Sequence, residues 1–77
     1  MYFQRLRDMR EDSDMSQAQI AAILGIQQTV YSRYERGFQT IPLELLLKLA
    51  DYYGVSLDFL TGRTKNKNIN EWKQGKE

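Results

Sequence analysis

MSQAQIAAILGIQQTVYSRYERG, residues 15–37, is the stretch that decides the fold, because it predicts two short helices joined by a glycine. Ser16 is a typical helix N-cap residue, and Gln19 stands three positions later, where its amide can complete a capping box. The first helix is expected to end at Gly25, because glycine adopts the left-handed conformation of a helix terminus at little steric cost. A second helix is predicted over residues 27–36.

The two predicted helices each have an apolar and a polar face. In the first helix, Ile20 and Leu24 recur at helical spacing and are expected to face the core. In the second, Tyr31 and Tyr34 are expected to point inward. The opposite face of the second helix presents amides, hydroxyls and guanidinium groups: Gln27, Gln28, Thr29, Ser32, Arg33 and Arg36. A face of this kind indicates a surface that contacts another molecule.

Three further helices are predicted around this pair. The first runs over residues 2–12, the fourth over 42–53 and the fifth between Ser56 and Gly62. The apolar stripe predicted for the fourth helix consists of Leu43, Leu46, Leu47, Ala50 and Tyr53, widened by Leu45 and Leu49. No segment alternates between apolar and polar residues over a useful length, so no strand is predicted. The prediction is therefore an all-α bundle of five helices in one domain, residues 1–62.

Residues 63–77 differ in composition from the body of the chain. Ile69 and Trp72 are their only large apolar residues. A segment with so little to bury does not order itself, so we expect a basic, mobile tail. Docking of Trp72 on the body or on a partner chain is the alternative.

The net charge of +1 hides an uneven distribution of charged residues. Residues 1–62 contain six Lys and Arg against eight Asp and Glu, whereas residues 63–77 contain five against two. A mildly acidic body argues against a protein that coats nucleic acid by bulk charge. It is compatible with a protein whose few basic groups lie together on one face.

Composition also limits the chemistry. The chain has no cysteine and no histidine, so neither a disulfide nor a zinc site of the usual kind is expected, and we predict no cofactor and no metal. The N-terminus is charged and lacks the apolar core of a signal peptide. The apolar stretch 41–50 is interrupted by Glu44 and Lys48 and is too short to span a bilayer. We therefore expect a soluble, cytoplasmic protein that makes no membrane contact.

Residues 5–61 resemble the Cro/C1-type helix-turn-helix family, the XRE-like regulators that include the phage repressors and Cro. The family expects a small residue where Ala21 stands and a glycine where Gly25 stands. Its apolar core positions are occupied here by Ile20, Leu24, Ile26, Tyr31 and Tyr34. The resemblance extends through YSRYERG (31–37) to PLELLLKLADYYGVSLDFL (42–60). It implies a lambda-repressor-like bundle of five helices that contains a helix-turn-helix.

The resemblance implies a function as well as a fold. Members of this family lay the second helix of the motif in the DNA major groove and read base edges from its N-terminal part. We therefore expect a non-enzymatic transcription regulator, a repressor, that binds double-stranded DNA as a homodimer. Its operator is expected to be palindromic, with half-sites about 34 Å apart.

Three side chains are implied to contact bases. Gln28 and Thr29 stand at base-contacting positions of the family, and Arg33 stands one turn further along the same helix. Their chemistry agrees with this role, because glutamine pairs bidentately with adenine and arginine with guanine. Threonine offers a hydroxyl for hydrogen bonding and a methyl group that can contact thymine.

Other residues are implied to contact the DNA backbone. Gln17 matches a position that grips a phosphate and braces the first recognition glutamine. Arg10 matches a position that faces the backbone and is often bridged to the residue at Glu35, and the burial of that bridge determines its contribution to stability. Phosphate contacts, which fix register without reading sequence, are expected from some residues near the edges of this surface: Gln27, Ser32, Arg36, Gln39 and Thr40.

Two aromatic residues depart from the family pattern. Tyr31 stands where Ile, Val or Leu is usual, so its ring either enlarges the packing against the fourth helix or directs its hydroxyl towards the DNA backbone. Phe38 stands where polar residues are common, and an exposed aromatic side chain there is a candidate for a dimer contact.

The same fold is compatible with other functions. An antitoxin or an adaptor would bind a protein partner through helices four and five or through the tail, and the acidic body and the Trp72-bearing tail motivate that alternative. An enzyme is not expected, because no nucleophile or base shows activating spacing. The acidic residues Glu11, Asp12 and Asp14 are better explained by a solvated turn than by a cation site.

Overall fold

The computed structural model describes residues 2–65, and within them the chain forms five α-helices and no strand. The helices are α1 (Gln4–Asp12), α2 (Gln17–Leu24), α3 (Gln28–Glu35), α4 (Leu43–Tyr53) and α5 (Leu57–Leu60). The prediction of an all-α, five-helix bundle is confirmed. The predicted mobile tail falls mostly on residues 66–77, including Ile69 and Trp72, which lie outside the described residues.

The predicted ends of α2 and the predicted start of α5 are present. The Ser16 hydroxyl accepts a hydrogen bond from the Gln19 backbone N–H at 3.1 Å, and the Gln19 amide oxygen accepts one from the Ser16 N–H at 2.8 Å. This pair is the capping box that the sequence predicts. Ser56 caps α5 by accepting from the Phe59 N–H at 2.9 Å. Gly25 ends α2 with φ at +73°, the left-handed conformation expected there.

The start of α1 differs from the prediction. Phe3 is extended (φ −115°, ψ 99°), so the helix begins at Gln4 rather than at Tyr2. Tyr2 instead lies against Gly37, in the turn that follows α3. A Cβ atom added at Gly37 would stand 3.0 Å from the Tyr2 Cβ, so the close approach of the two segments requires glycine.

The core lies between the helices, with α2 packed on α3 and α4 packed on α5. Its largest completely buried side chains come from each helix in turn: Leu6, Ile20, Tyr31, Leu49 and Leu60. Ile41 adds a buried contact from the loop between α3 and α4. Among residues 2–65, no helix is long and apolar enough to cross a membrane.

The predicted apolar stripe of α4 is wrong in two positions. Leu43 is 60% exposed and Leu47 is 45% exposed, whereas Leu46, Leu49 and Ala50 are buried. Five leucines between positions 43 and 49 give α4 two adjacent apolar faces with helical spacing, so periodicity alone does not select the face that meets the core. Packing against α2 and α5 selects the face of Leu46 and Leu49.

Replacing a buried leucine of α4 with alanine should therefore reduce stability much more than replacing an exposed one. We expect Leu49→Ala to lower the free energy of unfolding by about 2–5 kcal/mol, because the side chain is buried and its loss leaves a cavity. Leu47→Ala should change it by less than about 0.5 kcal/mol. Urea unfolding at several protein concentrations measures both and separates self-association from the stability of the monomer. A larger loss for Leu47→Ala than for Leu49→Ala would contradict this orientation of α4.

Candidate nucleic-acid interface

A buried ion pair joins α1 to α3. The Arg10 Nε donates to Glu35 Oε2 at 2.8 Å, and Arg10 Nη2 donates to Glu35 Oε1 at 2.9 Å, so the guanidinium grips the carboxylate with two parallel bonds. Arg10 Nη1 also donates to the Met15 carbonyl at 2.8 Å. The Glu35 side chain is 3% exposed and that of Arg10 14%. The predicted bridge is thus present, and it is buried.

The supporting helix α2 joins the same carboxylate. Gln17, the first residue of α2, donates from its side-chain amide to Glu35 Oε1 at 3.2 Å. Glu35 therefore binds groups from α1 and α2 while it stands at the last position of α3. These bonds fix the orientation of α3 relative to the two preceding helices.

These contacts lower the pKa of Glu35. Burial by itself would raise it, because desolvation disfavours the charged carboxylate. The hydrogen bonds from Arg10, with smaller contributions from the Tyr31 hydroxyl and the Gln17 amide, outweigh burial, and the pKa lies below its ordinary value. The carboxylate is consequently charged in the folded protein at neutral pH.

Tyr31 lies in the core and not at a DNA-facing surface. Its side chain is fully buried, so the alternative that its hydroxyl faces the DNA backbone is wrong. The hydroxyl lies beside Glu35 without a well-formed hydrogen bond, and the Tyr53 hydroxyl is likewise buried without a hydrogen-bond partner among the described residues. Burial, reinforced by the neighbouring Glu35 charge, raises the pKa of Tyr31, and it raises the pKa of Tyr53 to about 12.

The exposed side of α3 forms a shallow depression, which we call the reading depression. It is lined by Gln17, Gln28, Thr29, Ser32, Arg33, Arg36 and Phe38. The structure thus brings together six of the ten residues for which DNA contact is predicted or considered. The helix predicted over 27–36 forms as Gln28–Glu35, with Gln27 as its N-cap and Arg36 as its C-cap.

A second depression adjoins the first and adds two further arginines to the surface. We call it the arginine depression, and it is lined by Tyr2, Arg7, Arg10, Gln17, Glu35 and Arg36. Gln17 and Arg36 line both depressions, so they stand at the boundary between them. Gln27, Gln39 and Thr40 are exposed but line neither depression. Contact of each of these residues with DNA stays a prediction.

The structure adds three residues to the surface that the sequence prediction did not include. Phe38 is 67% exposed and belongs to the reading depression, where the Arg36 guanidinium carbon stands 4.5 Å from the centre of its ring. Tyr2 and Arg7 line the arginine depression, and Arg7 also pairs with Glu11 at 3.0 Å. Tyr2 lies next to α3 because it contacts Gly37. Helical periodicity does not reveal a contact between residues so far apart in sequence.

The two depressions carry positive charge although the body of the chain is acidic. Four arginines line them, and the single acidic lining residue, Glu35, is neutralised by Arg10. The amides of Gln17 and Gln28 and the hydroxyls of Thr29 and Ser32 add hydrogen-bonding groups. Among residues 2–65, no three acidic side chains are grouped so that they could hold a metal ion. The surface is equipped to bind an anionic ligand that displays hydrogen-bonding edges.

Comparison with known proteins identifies the class. The helix-turn-helix family model matches residues 6–60, which cover α2 to α5 and all of α1 except its first two residues. The chain belongs to the Cro/C1-type, XRE-like helix-turn-helix family of transcription regulators, as its resemblance to that family predicts.

Individual relatives agree with this assignment. The chain is 35% identical over 71 residues to the cryptic phage CTXphi transcriptional repressor RstR of Vibrio cholerae, covering 92% of this chain and 63% of that protein. It is 37% identical over 67 residues to the transcriptional regulator AnsR of Bacillus subtilis, covering 87% of this chain and 58% of AnsR. A crystal structure of a transcriptional regulator from Listeria innocua superposes with a TM-score of 0.74 at 28% identity, covering 92% of this chain and 67% of that one. The chain thus spans less than two thirds of the length of RstR.

Removing the Glu35 charge tests the buried bridge. We expect Glu35→Gln to lower the free energy of unfolding at neutral pH by about 3–5 kcal/mol, because Arg10 then remains buried without a charged partner. In the unchanged chain the folded-state pKa of Glu35 is depressed, so its contribution is complete above the ordinary value of 4.5 and is lost as the pH falls below it.

Denaturant unfolding between pH 7 and pH 3 measures both effects. The stability of Glu35→Gln should fall less steeply in the acidic range than that of the unchanged chain. Asp12→Asn is the matched control at an exposed carboxylate and should keep the full acid dependence. Parallel pH curves for Glu35→Gln and the unchanged chain would show that the bridge does not stabilise the fold.

Proposed function

We propose that the chain is a sequence-specific, non-enzymatic DNA-binding transcription repressor that acts in the cytoplasm and reads the major groove with α3. The observation that carries the proposal is the reading depression, where Gln28, Thr29 and Arg33 share the exposed side of a helix whose other side is buried. A helix fits the width of the major groove, and base edges are read there by side chains of these types.

The three side chains are assigned different parts of base recognition. Gln28, at the first position of α3, offers the donor and the acceptor that match adenine N6 and N7. Arg33 offers two parallel N–H donors to guanine O6 and N7. Thr29 adds a hydroxyl and a methyl group beside Gln28. The positions of Gln28 and Thr29 agree with base contacts from the N-terminal part of a recognition helix, and Arg33 lies about one turn further along α3.

Backbone contacts are assigned to the residues around them. Gln17 and Arg36 are proposed to bind phosphates at the boundary of the two depressions, and the positive end of the α2 helix dipole favours a phosphate near Gln17 as well. Arg10 is proposed to add its charge to the same phosphate while it stays bonded to Glu35. Weaker backbone contacts are proposed for Gln27, Ser32 and Thr40.

The working unit is proposed to be a homodimer on a palindromic operator. Leu43 and Leu47 lie one turn apart on the exposed side of α4, beside the exposed Glu44 and Lys48. A patch that combines apolar residues with charges of both signs can pair with its own copy across a two-fold axis. The repressor RstR and the regulator AnsR, which the chain resembles, support the regulatory part of the proposal.

Selection from a random pool of duplexes tests base reading. We expect the unchanged chain to select a defined site, and Gln28→Ala and Arg33→Ala each to lose preference at separate positions, at a cost of about 1–3 kcal/mol of discrimination. Asp51→Ala, an exposed residue of α4, is the control and should select the same site. If both substitutions at the reading depression leave the selected sequence unchanged, these two residues do not read bases. Co-purification of a protein partner without any DNA shift would favour the antitoxin or adaptor alternative.

Half-site spacing tests the dimer. Leu47→Glu should give a monomer in sedimentation, because it brings two charges into the self-paired patch. It should lose affinity for the full palindrome while it keeps the affinity of the unchanged chain for one half-site. Insertion of five base pairs between the half-sites should weaken binding of the unchanged chain, because it turns one half-site to the opposite side of the duplex. Equal binding to full and half-sites by the unchanged chain would contradict the dimer.

A further inference from the structure

Arg36 and Phe38 form an exposed stack at the rim of the reading depression. The guanidinium carbon lies 4.5 Å from the centre of the Phe38 ring, within the range of a cation–π contact. The ring is 67% exposed and Arg36 is exposed as well. Exposing a large apolar side chain to water is unfavourable, so the position of Phe38 against the Arg36 guanidinium calls for an explanation.

The backbone holds Phe38 in place independently of its side chain. The Phe38 N–H donates to the Arg33 carbonyl at 2.9 Å, and the Gly37 N–H donates to the Tyr34 carbonyl at 3.2 Å. With Gly37 at φ +82°, these two bonds form a Schellman motif at the end of α3. The residue at the position of Phe38 in this motif often packs on the preceding helix. Here its ring stays exposed under the Arg36 guanidinium.

A second arginine–phenylalanine stack in the same chain shows what differs at Arg36. The Arg5 guanidinium lies 3.9 Å from the centre of the Phe59 ring, and its Nη1 donates to the carbonyls of Phe59 and Thr64, both at 2.7 Å. The Arg5 guanidinium is therefore already hydrogen-bonded within the protein. Arg36 makes no ion pair within residues 2–65, and its guanidinium borders both depressions.

We propose that Phe38 is a positioning residue, which holds the Arg36 guanidinium by its face so that its edge binds a DNA backbone phosphate between the two depressions. Stacking occupies the face of a planar guanidinium and leaves the in-plane N–H groups for a bidentate bond to phosphate oxygens. It also restricts the arginine rotamers before DNA arrives, which reduces the entropy lost on binding. This inference rests on the proposed function and deepens it.

Two substitutions at position 38 separate the aromatic face from simple apolar bulk. Phe38→Leu keeps an apolar side chain but removes the π face, whereas Phe38→Tyr keeps the face. Binding to the site selected by the unchanged chain should weaken about two- to fivefold per protomer in Phe38→Leu, the size of an exposed cation–π contact. The same loss should occur on a scrambled duplex, because phosphates carry no sequence information. Phe38→Tyr should bind within twofold of the unchanged chain.

Double substitutions identify Arg36 as the group that Phe38 positions. In an Arg36→Ala background, Phe38→Leu should have no further effect, and the salt dependence of binding should already be reduced by about 0.9 per protomer in log–log slope. In an Arg33→Ala background, which leaves the stack intact, Phe38→Leu should keep its full effect. Thermal unfolding of Phe38→Leu should match that of the unchanged chain, because the ring is exposed.

Several results would overturn the inference. Unchanged binding by Phe38→Leu would do so, as would an equal effect in the presence and absence of Arg36. A change in preference at one base pair would show that the ring contacts a base, such as a thymine methyl, and does not act through Arg36. If the unchanged chain selects a site and Gln28→Ala alters it, these results overturn only the role of Phe38. If the unchanged chain selects no DNA, the proposed function fails together with this inference.

Discussion

The bidentate bond between Arg10 and Glu35 is the constraint on which the rest of the surface depends. Two charges with almost no solvent access must remain paired, because separation of either would leave an unpartnered charge in a medium of low dielectric constant. Gln17 and the Met15 carbonyl bond to the same pair, so hydrogen bonds join α1, the start of α2 and the end of α3. A chain of 77 residues with no disulfide gains from this bridge a fixed angle for α3.

That rigidity allows the two sides of α3 to serve different purposes. The buried side carries Tyr31 and Glu35 and belongs to the core. The exposed side carries amide, hydroxyl and guanidinium groups, which are held in place without being used by the fold. The body of the chain is mildly acidic, so the proposed function requires the arginines around the two depressions to supply a local attraction to DNA that favours one docking orientation.

Much of this architecture follows from local sequence signals. The sequence predicts α2 correctly, because capping and periodicity act within a few residues. The signals are the Ser16–Gln19 capping box, the glycine at Gly25 and the apolar spacing of Ile20 and Leu24. The exposure of Leu47 could not be predicted, since the orientation of α4 depends on packing with helices distant in sequence. The inward position of Tyr31 is predicted by its spacing, but its place beside Glu35 depends on tertiary contacts. Phe38 was recognisable as exposed, but its contact with Arg36 depends on the turn geometry after α3.

The structure of the chain bound to a duplex that carries its selected site is the sharpest test of base reading by α3. The proposed function requires α3 to lie in the major groove, with Gln28 and Arg33 within hydrogen-bond distance of base edges and the Arg10–Glu35 bond unchanged from its present 2.8 Å. A complex in which α3 lies outside the groove, or in which the bridge opens to let Arg10 reach the DNA, would contradict it.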